Sequence, residues 1–187
     1  MKPLIIITGP QAVGKMAVGK ALQDLYNYRL FHNHMTIELA LDLYGTFDRD
    51  TKKLIGEMRR VIFDHVVEKD LDGFVFTYMW AFDMPSEYEY IDDVTRKFEA
   101  KGWSVTIVEL EADVETRLKR NRTELRLKEK RSKRNVEWSD NDLKNAMDKY
   151  RLNSDPGEIK HGSYIRINNT DIEPVDVAKQ VYEYIQK

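Results

Sequence analysis

The chain has 187 residues, 42% of them hydrophobic and 33% charged, and a formal net charge of −2. That length suits a single folded unit, and the apolar content is too high for a disordered chain. The absence of cysteine excludes a disulfide scaffold, a cysteine-liganded zinc site and a thiol nucleophile, and the balanced charge argues against a globally basic nucleic-acid binder.

In chain order, residues 4–8 (Leu-Ile-Ile-Ile-Thr) form a short apolar run rich in β-branched residues, the pattern of a strand buried on both faces. No run approaches the roughly 18 apolar residues of a membrane span. This first run leads into a glycine motif and not a cleavage site, so a cytoplasmic location is expected. A helix follows over 14–26, then a short strand over 29–32 and helices over 36–44 and 50–69. The apolar stripe of that last helix is Leu54, Ile55, Met58, Val61, Ile62, His65 and Val66. A third strand spans 74–79. A helix over 86–101 is expected to start on Ser86 as its N-cap. A fourth strand covers 103–110, Asp113 opens a helix that runs into a charged stretch, and a helix spans 141–152. The chain closes with a fifth strand over 164–167 and a helix over 174–185. Strands separated by helices predict an α/β fold with a parallel sheet and crossover helices on both faces.

Gly9-Pro-Gln-Ala-Val-Gly14-Lys15 fits G-x-x-x-x-G-K and lies between a predicted strand and a predicted helix, the context a phosphate-binding loop requires. Glycines allow close backbone approach, successive N–H groups form an anion nest, and the helix adds its positive end. Gly9, Gln11, Ala12, Val13, Gly14, Lys15, Met16 and Ala17 are therefore the candidate nucleotide-binding residues, with Lys15 reaching the β- and γ-phosphates. The usual Ser or Thr is Met16 here, and a thioether is a poor ligand for a hard cation. Either Mg²⁺ is held through water and the nucleotide's phosphates, with Asp83 as one further contact and no direct protein ligand, or catalysis is weakened.

Residues 117–134 hold ten Lys or Arg and two acids, which leaves the rest of the chain net acidic by ten charges. An arginine-rich helix beginning at a strand's carboxyl end can deliver guanidinium groups to phosphates. Arg117, Arg120 and Arg122 are the first candidates for catalysis, with Arg126 next. The other readings are a solvated charged helix and a basic nucleic-acid surface.

With the loop, the second-strand region and the arginine segment in this order, the sequence resembles the small P-loop kinases: the nucleoside monophosphate kinases, shikimate kinase, gluconate kinase and chloramphenicol phosphotransferase. The strings Ala-Val-Gly-Lys-Met and Phe-His-Asn-His-Met-Thr resemble a bacterial branch of shikimate-kinase-like ATPases. The resemblance implies a three-layer fold with a five-stranded parallel sheet in the order 2-3-1-4-5. It also implies one domain over 1–187, an acceptor-binding region at about 32–60 and a helical lid at about 117–140 that closes on ATP. It further implies that Arg117 stacks on adenine, that Arg120 and Arg122 touch phosphates, and that Asn168 and Asn169 lie beside the base; an ordinary strand-to-helix turn is the other reading of those two amides.

Several family members carry an Asp-x-Asp-like pattern where this chain has His32, Asn33 and His34. One histidine could contact substrate or accept a proton, or one could cap the next helix while the other packs. Arg59, on the helix between strands two and three, matches an acceptor-binding arginine of the family, with Arg60 as an alternative. Thr77 and Asp83 could contact magnesium or the acceptor. Tyr78, Trp80 and Phe82 alternate, so one set faces either the cleft or the core.

The expectation is an ATP-dependent phosphotransferase acting on a hydroxyl or phosphate of a small molecule. It would use ATP and Mg²⁺, work as a monomer or homodimer, and have no membrane or nucleic-acid partner. The competing readings are a catalytically weak nucleotide-binding regulator and a nucleic-acid-binding P-loop protein that uses residues 117–134.

Overall fold

The computed structural model describes residues 1–187 apart from the side chains of residues 125 and 126. Its strands are β1 (Lys2–Thr8), β2 (Arg29–His32), β3 (Phe74–Thr77), β4 (Trp103–Glu111) and β5 (Tyr164–Asn168). The helices are α1 (Lys15–Tyr26), α2 (His34–Tyr44), α3 (Arg49–Val66), α4 (Pro85–Glu99), α5 (Val114–Asn121), α6 (Glu124–Glu129), α7 (Val136–Lys149) and α8 (Pro174–Ile185), with a 3₁₀ turn at Arg131–Lys133. All strand pairs are parallel, in the order β2-β3-β1-β4-β5, as expected of the P-loop kinase fold.

The apolar run of β1 is continuous because both faces of the sheet are covered. Leu4 and Ile6 pack with Phe63, Phe76, Ile91 and Phe98 under α3 and α4. Ile5 and Ile7 pack with Val18, Leu22, Val108, Val177 and Val181 under α1 and α8. Phe31, Phe63, Phe74, Phe76 and Phe98 form a chain of edge-on and stacked rings with centroids 5.0 to 6.5 Å apart. Such pairs add to the stabilisation from burial alone.

Three local expectations are corrected. Ser86 is not the cap of α4: Pro85 opens the helix, its fixed φ suiting the first turn. Helix α7 begins at Val136, five residues before the expected start, because the Asn135 side chain accepts from Trp138 N at 3.0 Å. The stripe of α3 splits, with Ile55, Arg59 and Phe63 facing the core. Leu54, Met58 and Val61 instead line an open cavity of about 700 Å³ between α2 and α3.

Candidate phosphate-binding and acceptor site

The loop between β1 and α1 has the backbone of an anion nest. Gly9, Ala12 and Gly14 take φ of 127°, 58° and 113°, so successive N–H groups turn to one side. Only glycine fits position 9, where a Cβ would stand 2.3 Å from the Leu110 carbonyl oxygen. Ala12 holds a left-handed conformation that costs a non-glycine residue about 1 kcal/mol or more, and such strain gathers at functional loops. The Lys15 ammonium donates to the Gly9 carbonyl and, at 2.8 Å, to the Pro10 carbonyl, which keeps it folded over the loop. Val13 packs in the core, and Ala17 lies in the first turn of α1. The Gln11 amide oxygen is buried with no partner.

Met16 packs into the protein and offers no oxygen. Among the described residues, no three His, Asp or Glu side chains gather at metal-ligand spacing. Position 16 thus lacks the hard oxygen donor that a hydroxyl would place there.

Two of the three candidate arginines of α5 and its C-cap, Arg117 and Arg120, hold the loop through its carbonyls. Arg117, 4% exposed, donates from Nε to the Gln11 carbonyl at 2.8 Å. Burial lowers its guanidinium to about 10, and its second terminal nitrogen is buried with no partner. Arg120 donates to the Val13 carbonyl at 3.1 Å and to the Asn169 and Thr170 carbonyls at 2.7 and 3.2 Å. It thus ties the loop to the turn after β5. Asn169 joins the same contact, its amide nitrogen 2.9 Å from the Val13 carbonyl. Asn168 accepts from Thr170 N at 3.0 Å, so its amide oxygen shapes the turn. Arg122 is turned toward α7, paired with Asp140 at 2.6 Å, while Arg126 lies outside the described side chains.

The segment from Glu129 to Lys133 rests on the body of the protein. Lys20 pairs with Glu129 at 2.7 Å, Arg131 pairs with Asp42, and Ser132 donates to Glu38 from both its backbone N and its hydroxyl. Lys133 is not solvated: it pairs with Asp142 at 2.7 Å and sits over the Trp138 ring.

At the end of β2, both histidines are drawn into the fold. His34 Nδ1 is 3.0 Å from Glu38 Oε1, and burial pushes its imidazole far below the ordinary range. Burial tends to raise Glu38, but hydrogen bonds from His34 and Ser132 outweigh this and hold it ionised. His32 is buried, brought down to about 4 first by burial and then by the Lys130 charge. Both rings are neutral at pH 7, and His34 faces Glu38 and the 130–133 segment.

Asn33 N donates to Thr77 Oγ1 at 3.2 Å, which fixes the ends of β2 and β3 together. Arg59 is buried, donating to Thr36 Oγ1 at 3.2 Å and to the Asn33 carbonyl at 3.4 Å. Its guanidinium lies 5.8 and 5.7 Å from the ring centres of Phe76 and Tyr78. Tyr78 N donates to the Ile7 carbonyl at 3.0 Å, so this residue stands where β1 turns into the phosphate loop.

Glu87 and Tyr90, which no motif marks in the sequence, join Arg59 and Tyr78 from the first two turns of α4. Burial raises the Glu87 carboxyl, opposed by the Tyr78 hydroxyl and the Arg59 charge. The rings of Tyr78 and Tyr90 are 5.0 Å apart, and burial raises both phenols. A buried glutamate on a helix start looks in sequence like an ordinary favourable charge at the positive helix end.

Two other candidates belong elsewhere. Trp80 is 1% exposed and packs against Phe82 and Tyr88, so its indole is a core group and not an exposed acceptor contact. Asp83 accepts from Arg151 N at 3.3 Å, which fastens the turn after β3 to the chain following α7. That same chain is held by Glu109, a fully buried carboxylate on β4. Glu109 accepts from Asn153, Ser154 and Tyr164 at 2.5 to 2.8 Å.

No protein-family model and no curated protein matches the sequence. Solved structures do resemble the fold. A candidate kinase from Chloroflexus aurantiacus aligns with 99% of this chain and 96% of its own at 15% identity, with a TM-score of 0.67. The APS kinase of Mycobacterium tuberculosis, in complex with AMPPNP and APS, covers 100% and 98% at 12% identity and a TM-score of 0.59. A shikimate kinase from Acinetobacter baumannii in complex with shikimate covers 100% and 94% at 17% identity and a TM-score of 0.57. The chain has the fold of the small P-loop kinases over its whole length.

Proposed function

We propose that the protein is an ATP-dependent phosphotransferase that moves the γ-phosphate of ATP to a small molecule. The observation that carries this reading is the loop at residues 9–15, with its nest of positive-φ residues, Lys15 folded over it and the start of α1 behind it. In the transfer, an acceptor oxygen bonds to the γ-phosphorus as the bond to the β–γ bridging oxygen breaks, leaving ADP. The protein's part is to position and to neutralise charge. Lys15 and the loop N–H groups would hold the β- and γ-phosphates. Arg117, whose orphaned nitrogen lies beside the loop, would turn it to the nucleotide. Arg120 and Asn169 are positioning residues, because their donors are spent on the loop carbonyls. Mg²⁺ would supply charge neutralisation on the phosphates, held by them and by water. The segment at about 117–140 would act as the lid that excludes water.

Met16 supports a second reading, a nucleotide-binding regulator with slow turnover, since no side-chain oxygen replaces the usual hydroxyl. Calorimetric titration with AMPPNP tests the shared basis of both readings. The wild type should bind it, and Lys15→Ala should bind at least tenfold more weakly, the effect of losing a charge-assisted contact of about 1.5–3 kcal/mol. Equal affinity in the two proteins would remove the assignment of the loop.

A further inference from the structure

The acceptor end of the site holds a carboxylate that no motif assigns. Glu87 Oε2 is buried with no hydrogen-bond partner, and the Tyr90 hydroxyl has only the Arg59 guanidinium beside it. Buried polar atoms are nearly always paired in folded proteins, so the open carboxylate oxygen marks the place of a group that completes it. The cluster stands at the carboxyl ends of β2, β3 and β1, where ligands of parallel α/β sheets bind. Tyr78 connects it directly to the end of β1 through the Ile7 carbonyl, one residue before Thr8 and the phosphate loop.

We propose that Glu87, Tyr78 and Tyr90 form the acceptor-recognition pocket and select an uncharged hydroxyl compound with a flat or apolar face, of the nucleoside or cyclic-polyol class, over carboxylates and phosphate monoesters. This deepens the phosphotransferase reading and rests on it. An ionised carboxylate only accepts hydrogen bonds, so Glu87 demands an O–H or N–H from its ligand. The cation of the cluster, Arg59, already donates to Thr36 and to the Asn33 carbonyl, and the Glu87 charge offsets it. An anionic acceptor would bring a second acidic group beside a carboxyl that burial already raises, a like-charge cost that works as discrimination. The Tyr78 and Tyr90 rings supply the apolar face.

The test uses the full chain with two panels, one of nucleosides and cyclic polyols, the other of shikimate, gluconate and nucleoside monophosphates. Thermal shift with AMPPNP present reads acceptor binding without turnover, and ADP release from ATP reads transfer. The expected result is a rise in melting temperature with a member of the uncharged panel, absent in Glu87→Gln and retained in Lys15→Ala. Its transfer should fall at least tenfold in kcat/KM in Glu87→Gln while KM for ATP stays unchanged. Stabilisation by the anionic panel alone, by neither panel, or equally in wild type and Glu87→Gln would overturn the proposal. Should Glu87→Gln fail to fold, Tyr90→Phe, which removes only a hydroxyl, is expected to weaken the same binding, and no change would count against the pocket. The phosphotransferase reading fails separately, if uncharged ligands bind as expected but no ADP forms.

Discussion

Met16 is the residue on which the chemistry of the loop turns. It follows Lys15 where a hydroxyl commonly reaches magnesium, yet its side chain is packed in the protein with 8% exposure. If water and phosphates carry the ion, restoring the hydroxyl changes little. Met16→Thr is expected to alter kcat for ATP-dependent transfer by less than about threefold while costing roughly 1–3 kcal/mol of stability, because a buried thioether chain is shortened. A rise in kcat of tenfold or more would instead favour the reading of weakened catalysis. Gly9, Gly14 and Lys15 were legible from spacing alone, since the reason for glycine is local: a left-handed φ and, at position 9, a backbone oxygen in the way. Glu87 was not legible, because its role comes from Arg59 and Tyr78, which lie on α3 and at the end of β3 and reach it only in the fold.

At the scale of elements, α2 and the segment after α6 form one unit. Glu38 accepts from His34 and from Ser132, while His32 lies buried nearby within reach of the Lys130 charge. Both imidazoles are neutral in the folded chain and would titrate near 6.5 when unfolded. The unfolded state therefore binds more protons between pH 6.5 and about 4, and stability falls as pH drops through that window. His32 alone should remove up to about 2 kcal/mol at pH 5. For a chain of this size that is a fall in melting temperature of roughly 4–8 °C between pH 7 and pH 5. His32→Asn should flatten that dependence; an unchanged slope would mean that the ring is not buried neutral. The histidine pair was visible in sequence as two unusual residues, but periodicity alone left open whether they faced a cleft. The hydrogen bond of His34 to Glu38 and the burial of His32 near Lys130 place them against the segment after α6. The sequence of residues 113–152 suggests one charged helix followed by another. Asn135 as a cap and the break into α5, α6 and a 3₁₀ turn went unread, since dense charge hides the apolar spacing that marks helix ends.

Over the whole molecule, the small net charge averages two unlike regions. The basic segment 117–134 meets acids of the body and of α7 through Glu38, Asp42, Asp140 and Asp142, so much of its charge is spent within the fold. The parallel sheet with helices on both faces was legible in the alternation of apolar runs with helices, whereas its order rested on the resemblance to the small P-loop kinases. That alternation could not separate core from cleft among Tyr78, Trp80 and Phe82; the structure puts Trp80 in the core and Tyr78 beside Arg59. The assignment of the loop to phosphoryl transfer is decided by following labelled phosphate from γ-labelled ATP to an added acceptor in wild type and Lys15→Ala. Label should reach the acceptor with the wild type, and the rate should fall at least a hundredfold with Lys15→Ala. Label transferred equally by both proteins, or released by the wild type only as inorganic phosphate with every acceptor, would contradict that assignment.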